Sequence, residues 1–271
     1  MGGAGADRGG AAPPEHAMTA RQVHRAPADL DDPAAGFSPV NWEQVGEHEF
    51  VVRLRYRHGE WPLATAHAVR QAALLVAHEA YGVPRGDHCV FRSLSCTMTA
   101  GSPAPLEPGT ETTLRLSCLQ PDLRRGRLVG ARFRGEPADG EPPAGRAEVD
   151  FAFLSPAVYR FVRGSGGGGE GAGESATGGR EFRPAPEQLV FRGKPVDHIP
   201  GMVLAAAALD AAAGPDTTPT GLTCTFTGYT TPDEPVRLHL HDATATTAEK
   251  TVEVWALQSG RRVFEGTVLT G

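Results

Sequence analysis

The chain carries one pattern twice, and that repeat narrows its possible folds more than any other feature. Leu94-Ser95-Cys96-Thr97-Met98 is echoed by Leu222-Thr223-Cys224-Thr225-Phe226. A Pro-rich turn follows each copy, Pro103 to Pro108 and Pro232 to Pro235, and then an alternating stretch, Glu111 to Leu116 and Pro235 to Leu240. Each block closes on a strand after a Gly-Arg turn, Gly145 to Phe153 and Gly260 to Leu269. Upstream of each shared Cys motif lies one apolar helix, roughly 62–81 and 201–213. Alternation with period two gives strands with one buried face, and a helix that is apolar nearly all round must be enclosed. The unit reads strand, buried helix, then several antiparallel strands. This is an α+β fold in which a sheet wraps around a central helix, used twice.

Glycine and proline (34 and 23 of 271 residues) mark what lies outside the repeats. Residues 1–36 have no sustained periodicity and few large apolar side chains. Such a stretch buries too little surface to offset its ordering entropy, and it is expected to be a disordered tail. Residues 164–179 hold nine glycines in sixteen positions and read as a flexible linker. The expected units are then 37–163 and 180–271. The linker contains the spacing Gly164-x-Gly166-x-x-Gly169, but no strand precedes it and no helix follows, so composition explains it better than dinucleotide binding.

A net charge of -6 argues against a nucleic-acid or anionic-membrane surface. No apolar run approaches a membrane span, and the N-terminus lacks a charged-then-apolar export pattern, so the expected setting is cytoplasmic. The four cysteines (Cys89, Cys96, Cys118, Cys224) have no metal or redox spacing and are expected to be free, mostly buried thiols. His239 and His241 share a strand face beside Asp242, but no third ligand is visible, and neither metal nor cofactor is expected. No His-Glu-x-x-His, P-loop or Gly-x-Ser-x-Gly occurs. Arg124-Arg125-Gly126-Arg127 is basic enough to dock an acidic carrier protein, though such runs are usually just solvated.

The first helix begins near Pro62, and Gly82 and Pro84 follow where a left-handed cap and a stop belong. His67, Arg70, Gln71, Leu74 and His78 fall within about 100° of arc. That polar stripe is either the solvent face of the helix or the wall of a polar pocket. Its place near the helix N-terminus, where backbone N–H groups attract an anion, favours the pocket. The second helix keeps only one ionisable residue, Asp210. Just before it, Asp197-His198 sits at a tight turn ahead of Pro200-Gly201. That pair either places an imidazole at a cleft with a carboxylate to tune it, or merely caps the turn. His58 occupies the corresponding place in the first block, at the border of a second cleft or on the surface.

Two stretches resemble the A-factor biosynthesis (AfsA-type) hotdog family. Asp197-His-Ile-Pro-Gly-Met-Val-Leu204 is similar to its D-H-x-P-G-M-x-L. Arg70-Gln71, Ala77-His78 and Tyr81-Gly-Val-Pro84-x-Gly86 are similar to its R-Q-x-x-x-x-x-A-H-x-x-Y-G-V-P-x-G. The resemblance covers about 37–271 and implies a double hotdog whose halves pack like the subunits of a hotdog dimer. It also implies acyl-thioester chemistry in specialised metabolism, namely β-ketoacyl transfer to dihydroxyacetone phosphate on the way to γ-butyrolactone signals. The acyl substrate would arrive on an acyl carrier protein or CoA, and the protein would be a monomer or weak homo-oligomer.

Some positions depart from the family pattern. His67 stands where E-T-x-R-Q has Glu, and Ala206, Leu209 and Asp210 stand where L-L-E-A-A-R-Q has Glu, Arg and Gln. The resemblance then implies one composite site, with His67 and Arg70 of the first half facing Asp197 and His198 of the second. Gln71, His78, His58, Gly201 and Asp210 are expected to contact substrate. The opposite site, walled by Ala206 and Leu209, would be dead or apolar. Besides acyl transfer, dehydration, thioester hydrolysis and non-catalytic ligand binding remain open.

Overall fold

A computed structural model describes residues 22–30, 36–58, 63–97, 106–138, 145–165, 179–191, 194–214, 217–245 and 250–271. The first half contains β1 (His24–Arg25), β2 (Phe37–Gln44), β3 (Glu49–Tyr56), α1 (Ala64–Glu79), β4 (His88–Thr97), β5 (Glu111–Arg124), β6 (Arg127–Pro137) and β7 (Arg146–Leu154). A helix α2 (Pro156–Ser165) leads out of it. The second half contains β8 (Arg180–Phe182), β9 (Val190–Phe191), β10 (Lys194–Pro195), α3 (Gly201–Ala212), β11 (Pro219–Phe226), β12 (Val236–Ala245), β13 (Lys250–Gln258) and β14 (Arg261–Thr270).

Period-two alternation sets which face of each strand goes inward. In β7, Ala147, Val149, Phe151 and Phe153 are buried, and in β5 Thr112, Leu114, Leu116 and Cys118 are, while residues between them stay more open. Antiparallel pairing joins the strands in the order β1-β2-β3-β5-β6-β7-β4-β11-β14-β13-β12-β8. Helix α1 touches every strand from β2 to β7. Those strands span about 24 Å at the usual spacing, while a helix is only about 10–12 Å across, so the sheet must curl around it. Helix α3 lies in the same way against β11 to β14.

Over the five strands nearest the seam the halves follow matching orders, β3-β5-β6-β7-β4 and β8-β12-β13-β14-β11, with β1 and β2 added outside β3. At the seam Ser95 lies opposite Thr223, Leu94 opposite Cys224 and Cys96 opposite Leu222. Each copy of the repeated Leu-x-Cys motif therefore pairs with the other about a local two-fold at Ser95 and Thr223.

Helix α1 ends where the sequence predicts. Gly82 has φ +65, and the Val83 N–H donates to the Ala77 carbonyl, closing a left-handed cap. The N-terminal stretch differs from expectation in its described part. His24–Arg25 pairs with β2, the His24 ring stacks on Trp42 at 4.6 Å, and Leu30 is buried. An aromatic stack and one apolar anchor hold this piece to the sheet edge although it has no periodicity of its own. Residues 1–21 and 31–35 of the expected tail and 166–178 of the expected linker lie outside the described residues. The first described linker residues, Gly164 and Ser165, belong to α2. All four cysteines are free, with Cys89 exposed and the others buried. Among the described residues no helix is long and apolar enough to cross a membrane.

Candidate functional site

The Asp197-His198 turn is held in place before α3 begins. Ile199 N–H donates to the Thr230 carbonyl, and the Thr230 hydroxyl donates back to the Ile199 carbonyl, each at 3.4 Å. Pro200 then caps α3, and Gly201 opens it against the Phe226 ring, where a Cβ would meet Cε1 at 3.0 Å. The helix can come this close only because residue 201 has no side chain.

His198 Nδ1 lies 2.8 Å from Asp197 Oδ1. An ionised carboxylate only accepts, so Nδ1 carries the proton and Nε2 is the basic nitrogen. Asp197 has further partners on α2. The Tyr159 hydroxyl donates to Oδ1 at 3.3 Å, and the Arg163 guanidinium reaches Oδ2 at 3.2 Å and the Asp197 carbonyl at 2.9 Å. Burial alone would raise the Asp197 pKa, but the His198 hydrogen bond and the Arg163 charge outweigh it and hold the carboxyl below its usual range. Tyr159 is pushed up to about 12, first by burial and then by the Asp197 charge, so it stays a neutral donor. Its ring stacks on His88 at 3.8 Å and meets Tyr229 edge-on at 5.7 Å. Arg163 lies 4.9 Å from the centre of the Tyr229 ring.

The polar stripe of α1 proves to be the least buried side of an otherwise enclosed helix. His67, Arg70 and His78 are half-buried, while Gln71 and Leu74 are buried. His67 is pushed down to about 4, chiefly by burial and then by the charges of Arg70 and His58. Cys89 on β4 is pushed up to about 12 by burial, against the opposing charge of Arg70. Both keep surface that water reaches, yet both are surrounded closely enough to be costly to charge. That combination describes a recess. His67 is neutral there at physiological pH, which leaves Arg70 as the cation beside it.

The inner faces of β4 and β11 run between these two groups. Cys89 neighbours Arg70, and Phe91 points to the same face two residues on. The Phe91 ring lies 4.6 Å from Phe151 and 5.6 Å from Phe226, the ring beneath Gly201. Aromatic contact thus runs across the seam from Phe151 and Phe91 to Phe226 at the start of α3.

The other expected contact residues are placed differently. His78 Nδ1 donates to the Val83 carbonyl at 2.7 Å, so it pins the cap of α1, about 12 Å along the helix from Arg70. Asp210 is exposed near the far end of α3, about 13 Å along the axis from Gly201. Leu209 is buried in the core and Ala206 is half-buried. His58 is exposed and lies within electrostatic reach of His67. Tyr159, Arg163, His88 and Tyr229 were not singled out by sequence reasoning. Tyr159 and Arg163 had a signal, because Val158, Phe161 and Val162 recur at helical spacing just after Pro156. His88 and Tyr229 had none, since each joins the cluster only through tertiary contacts. Among the described residues no three His, Cys, Asp or Glu side chains converge as metal ligands.

Comparison with known proteins gives these residues a lineage. Residues 43–155 match the A-factor biosynthesis hotdog domain. The chain is 28% identical over 224 residues to a 2-oxo-3-(phosphooxy)propyl 3-oxoalkanoate synthase of Streptomyces griseus, covering 65% of this chain and 71% of that protein. It is likewise 28% identical over 271 residues to the synthase of the same name from Streptomyces virginiae, covering 83% of this chain and 90% of that protein. Among solved structures, a protein described as an oleoyl thioesterase from Lactobacillus plantarum superposes with a TM-score of 0.55 at 10% identity, covering 83% of this chain and 97% of that one. A 12:0-ACP thioesterase from Umbellularia californica does so with 0.50 at 12% identity, covering 82% and 97%. At such identities these two structures establish the hotdog fold alone. The part of this chain that is similar to the A-factor biosynthesis hotdog domain is thus the stretch 43–155, from β2 to the end of β7.

Proposed function

We propose that the chain is two fused hotdog units and that it transfers an acyl group from a thioester to a small hydroxylated acceptor. The shared strand order and the self-pairing of the Leu-x-Cys motif support the duplication. The observation that carries the reaction is the Asp197–His198 pair at 2.8 Å, oriented so that Nε2 is the proton acceptor. That nitrogen takes the proton of an acceptor hydroxyl as its oxygen attacks the thioester carbonyl. The C–O bond forms, the C–S bond breaks, and the imidazolium returns the proton to the departing thiolate. Arg70, in the recess across the seam, holds a phosphate or the carbonyl oxygen of the substrate. His67 assists as a neutral hydrogen-bond donor, because its depressed pKa makes it a poor base. Gln71 and His58 border the same recess.

The relatives are named as 2-oxo-3-(phosphooxy)propyl 3-oxoalkanoate synthases, which supports a β-ketoacyl thioester as donor and a phosphorylated triose as acceptor. The test is incubation with β-ketoacyl thioesters of CoA and of acyl carrier protein, with and without dihydroxyacetone phosphate, followed by mass spectrometry. A phosphorylated ester that requires both reactants is the expected product. Free β-keto acid formed without acceptor would mean that water takes the acceptor's place and that the same base serves hydrolysis. Intact thioester in every mixture would overturn the reading.

A further inference from the structure

The Asp197–His198 pair is not held by its own half of the molecule alone. Two of its ligands, Tyr159 and Arg163, stand four residues apart on one side of α2, the helix leaving the first half. Arg163 closes two contacts on one residue, with the carboxylate at 3.2 Å and the backbone carbonyl at 2.9 Å, and so fixes the turn as well as the side chain. The Tyr159 ring is in turn gripped by His88 of β4, parallel within 7°, and by the edge of Tyr229. Tyr229 also lies 6.1 Å from the His198 ring. Both oxygens of Asp197 therefore have partners that come from different parts of the fold, and Nδ1 of His198 has one defined acceptor.

We infer that α2 is a catalytic support: Tyr159 and Arg163 are positioning residues that lock the Asp197 carboxylate so that His198 keeps its proton on Nδ1 and presents a bare Nε2. The inference rests on the reading of His198 as the base, but it makes a claim about the free protein that needs no substrate. An unlocked Asp197 can rotate away. The imidazole then exchanges between tautomers, and the tautomer bearing a proton on Nε2 cannot accept one there. The cost of the wrong tautomer has precedent in triad enzymes, where an Asp that orients His by this logic is worth orders of magnitude in turnover. The groups facing Asp197 are His198, Tyr159, Arg163 and Tyr229, with His88 behind Tyr159.

The test uses the full chain with isotopically labelled histidine and aspartate. Imidazole nitrogen shifts read the His198 tautomer, and the carboxyl carbon shift read through a pH titration gives the Asp197 midpoint. In the parent protein His198 should be predominantly the Nδ1–H form. Arg163→Gln should raise the Asp197 midpoint, since a neighbouring positive charge is gone, and should populate the Nε2–H tautomer. Tyr159→Phe keeps the ring and its stack on His88, so it should fold normally and show the tautomer change alone with a smaller midpoint shift. Where turnover is measurable, both variants should lose kcat by roughly 10-fold or more with KM little changed. Folded variants that retain the parent tautomer and midpoint would overturn the inference. If Arg163→Gln fails to fold, an unchanged tautomer in Tyr159→Phe overturns it. If the tautomer responds but no thioester is consumed by the parent protein, the proposed reaction fails and the positioning role stands.

Discussion

His67 and His198 are both imidazoles, and their surroundings suit them to opposite roles. His198 has a carboxylate 2.8 Å from Nδ1, which fixes one proton there and leaves Nε2 open to accept another. His67 has a neighbouring guanidinium and little hydration, which disfavour its charged form. His198→Gln should therefore lower turnover by about 10² or more, the usual effect of a lost acid–base group. His67→Gln, which keeps a neutral donor, should lower it by less than about 10-fold; equal losses in the two variants would assign His67 a proton too. Stability carries a second signature of His67. Its folded pKa is about 4, against 6.5 for the unfolded imidazole, so between those values the unfolded chain binds more protons. Its contribution to stability is thus complete above about pH 6.5 and is lost as pH falls toward 4. The melting temperature of His67→Gln should fall less steeply than that of the parent over that window. Cys89, also beside Arg70, is a thiol rather than a thiolate at neutral pH because burial pushes it up to about 12. Cys89→Ser should accordingly leave turnover within about 10-fold, and a larger loss would point to a covalent route.

At the scale of elements, close approach is set by glycines as much as by large side chains. Helix α1 packs on β6 where Gly135 faces Val69, and a Cβ on Gly135 would lie 2.6 Å from a Val69 methyl. Gly135→Ala should cost about 1–3 kcal/mol by overpacking. Val69→Ala vacates that space, so the double variant should be less destabilised than the sum of the singles. Urea unfolding of all four proteins measures the coupling, and simple additivity would mean that the clash is relieved elsewhere. The same scale shows what the sequence makes readable. Helices α1 and α3 are legible because periodicity, Gly82 and the Pro200-Gly201 start all agree with burial. The Asp197-His198 turn is legible because a rigid Pro-Gly helix start follows it directly. Helix α2 is legible only in part: Val158, Phe161 and Val162 recur at helical spacing, but its ten residues run straight into a Gly-rich tract and those apolar side chains remain exposed. That spacing marks a face that stays exposed, and the buried contact is made by Tyr159 instead. Its contribution to the site comes through long-range polar contacts, which leave no local pattern.

For the molecule as a whole, the seam between β4 and β11 decides whether the halves behave as two domains or one. A sheet that runs unbroken through all twelve strands, with both helices on one aromatic-floored face, gives neither half a complete surface of its own. Leu94 and Leu222 occupy equivalent places on the two sides of this seam, each about 1% exposed and each opposite a cysteine of the other copy. Leu94→Ala and Leu222→Ala should each cost about 2–5 kcal/mol, the usual range for emptying such a site. The informative question is which part of the molecule feels the loss. The three tryptophans divide conveniently, with Trp42 and Trp61 in the first half and Trp255 in the second. Trp255→Phe leaves fluorescence that reports the first half, and a Trp42→Phe, Trp61→Phe variant leaves only the second-half reporter. If the seam makes one cooperative unit, urea curves from the two reporters coincide. Leu94→Ala, though made in the first half, then moves both curves to lower urea by the same amount, and Leu222→Ala does likewise. A shift confined to the half that carries the substitution would mean that the halves fold independently and that the seam joins two separately stable units.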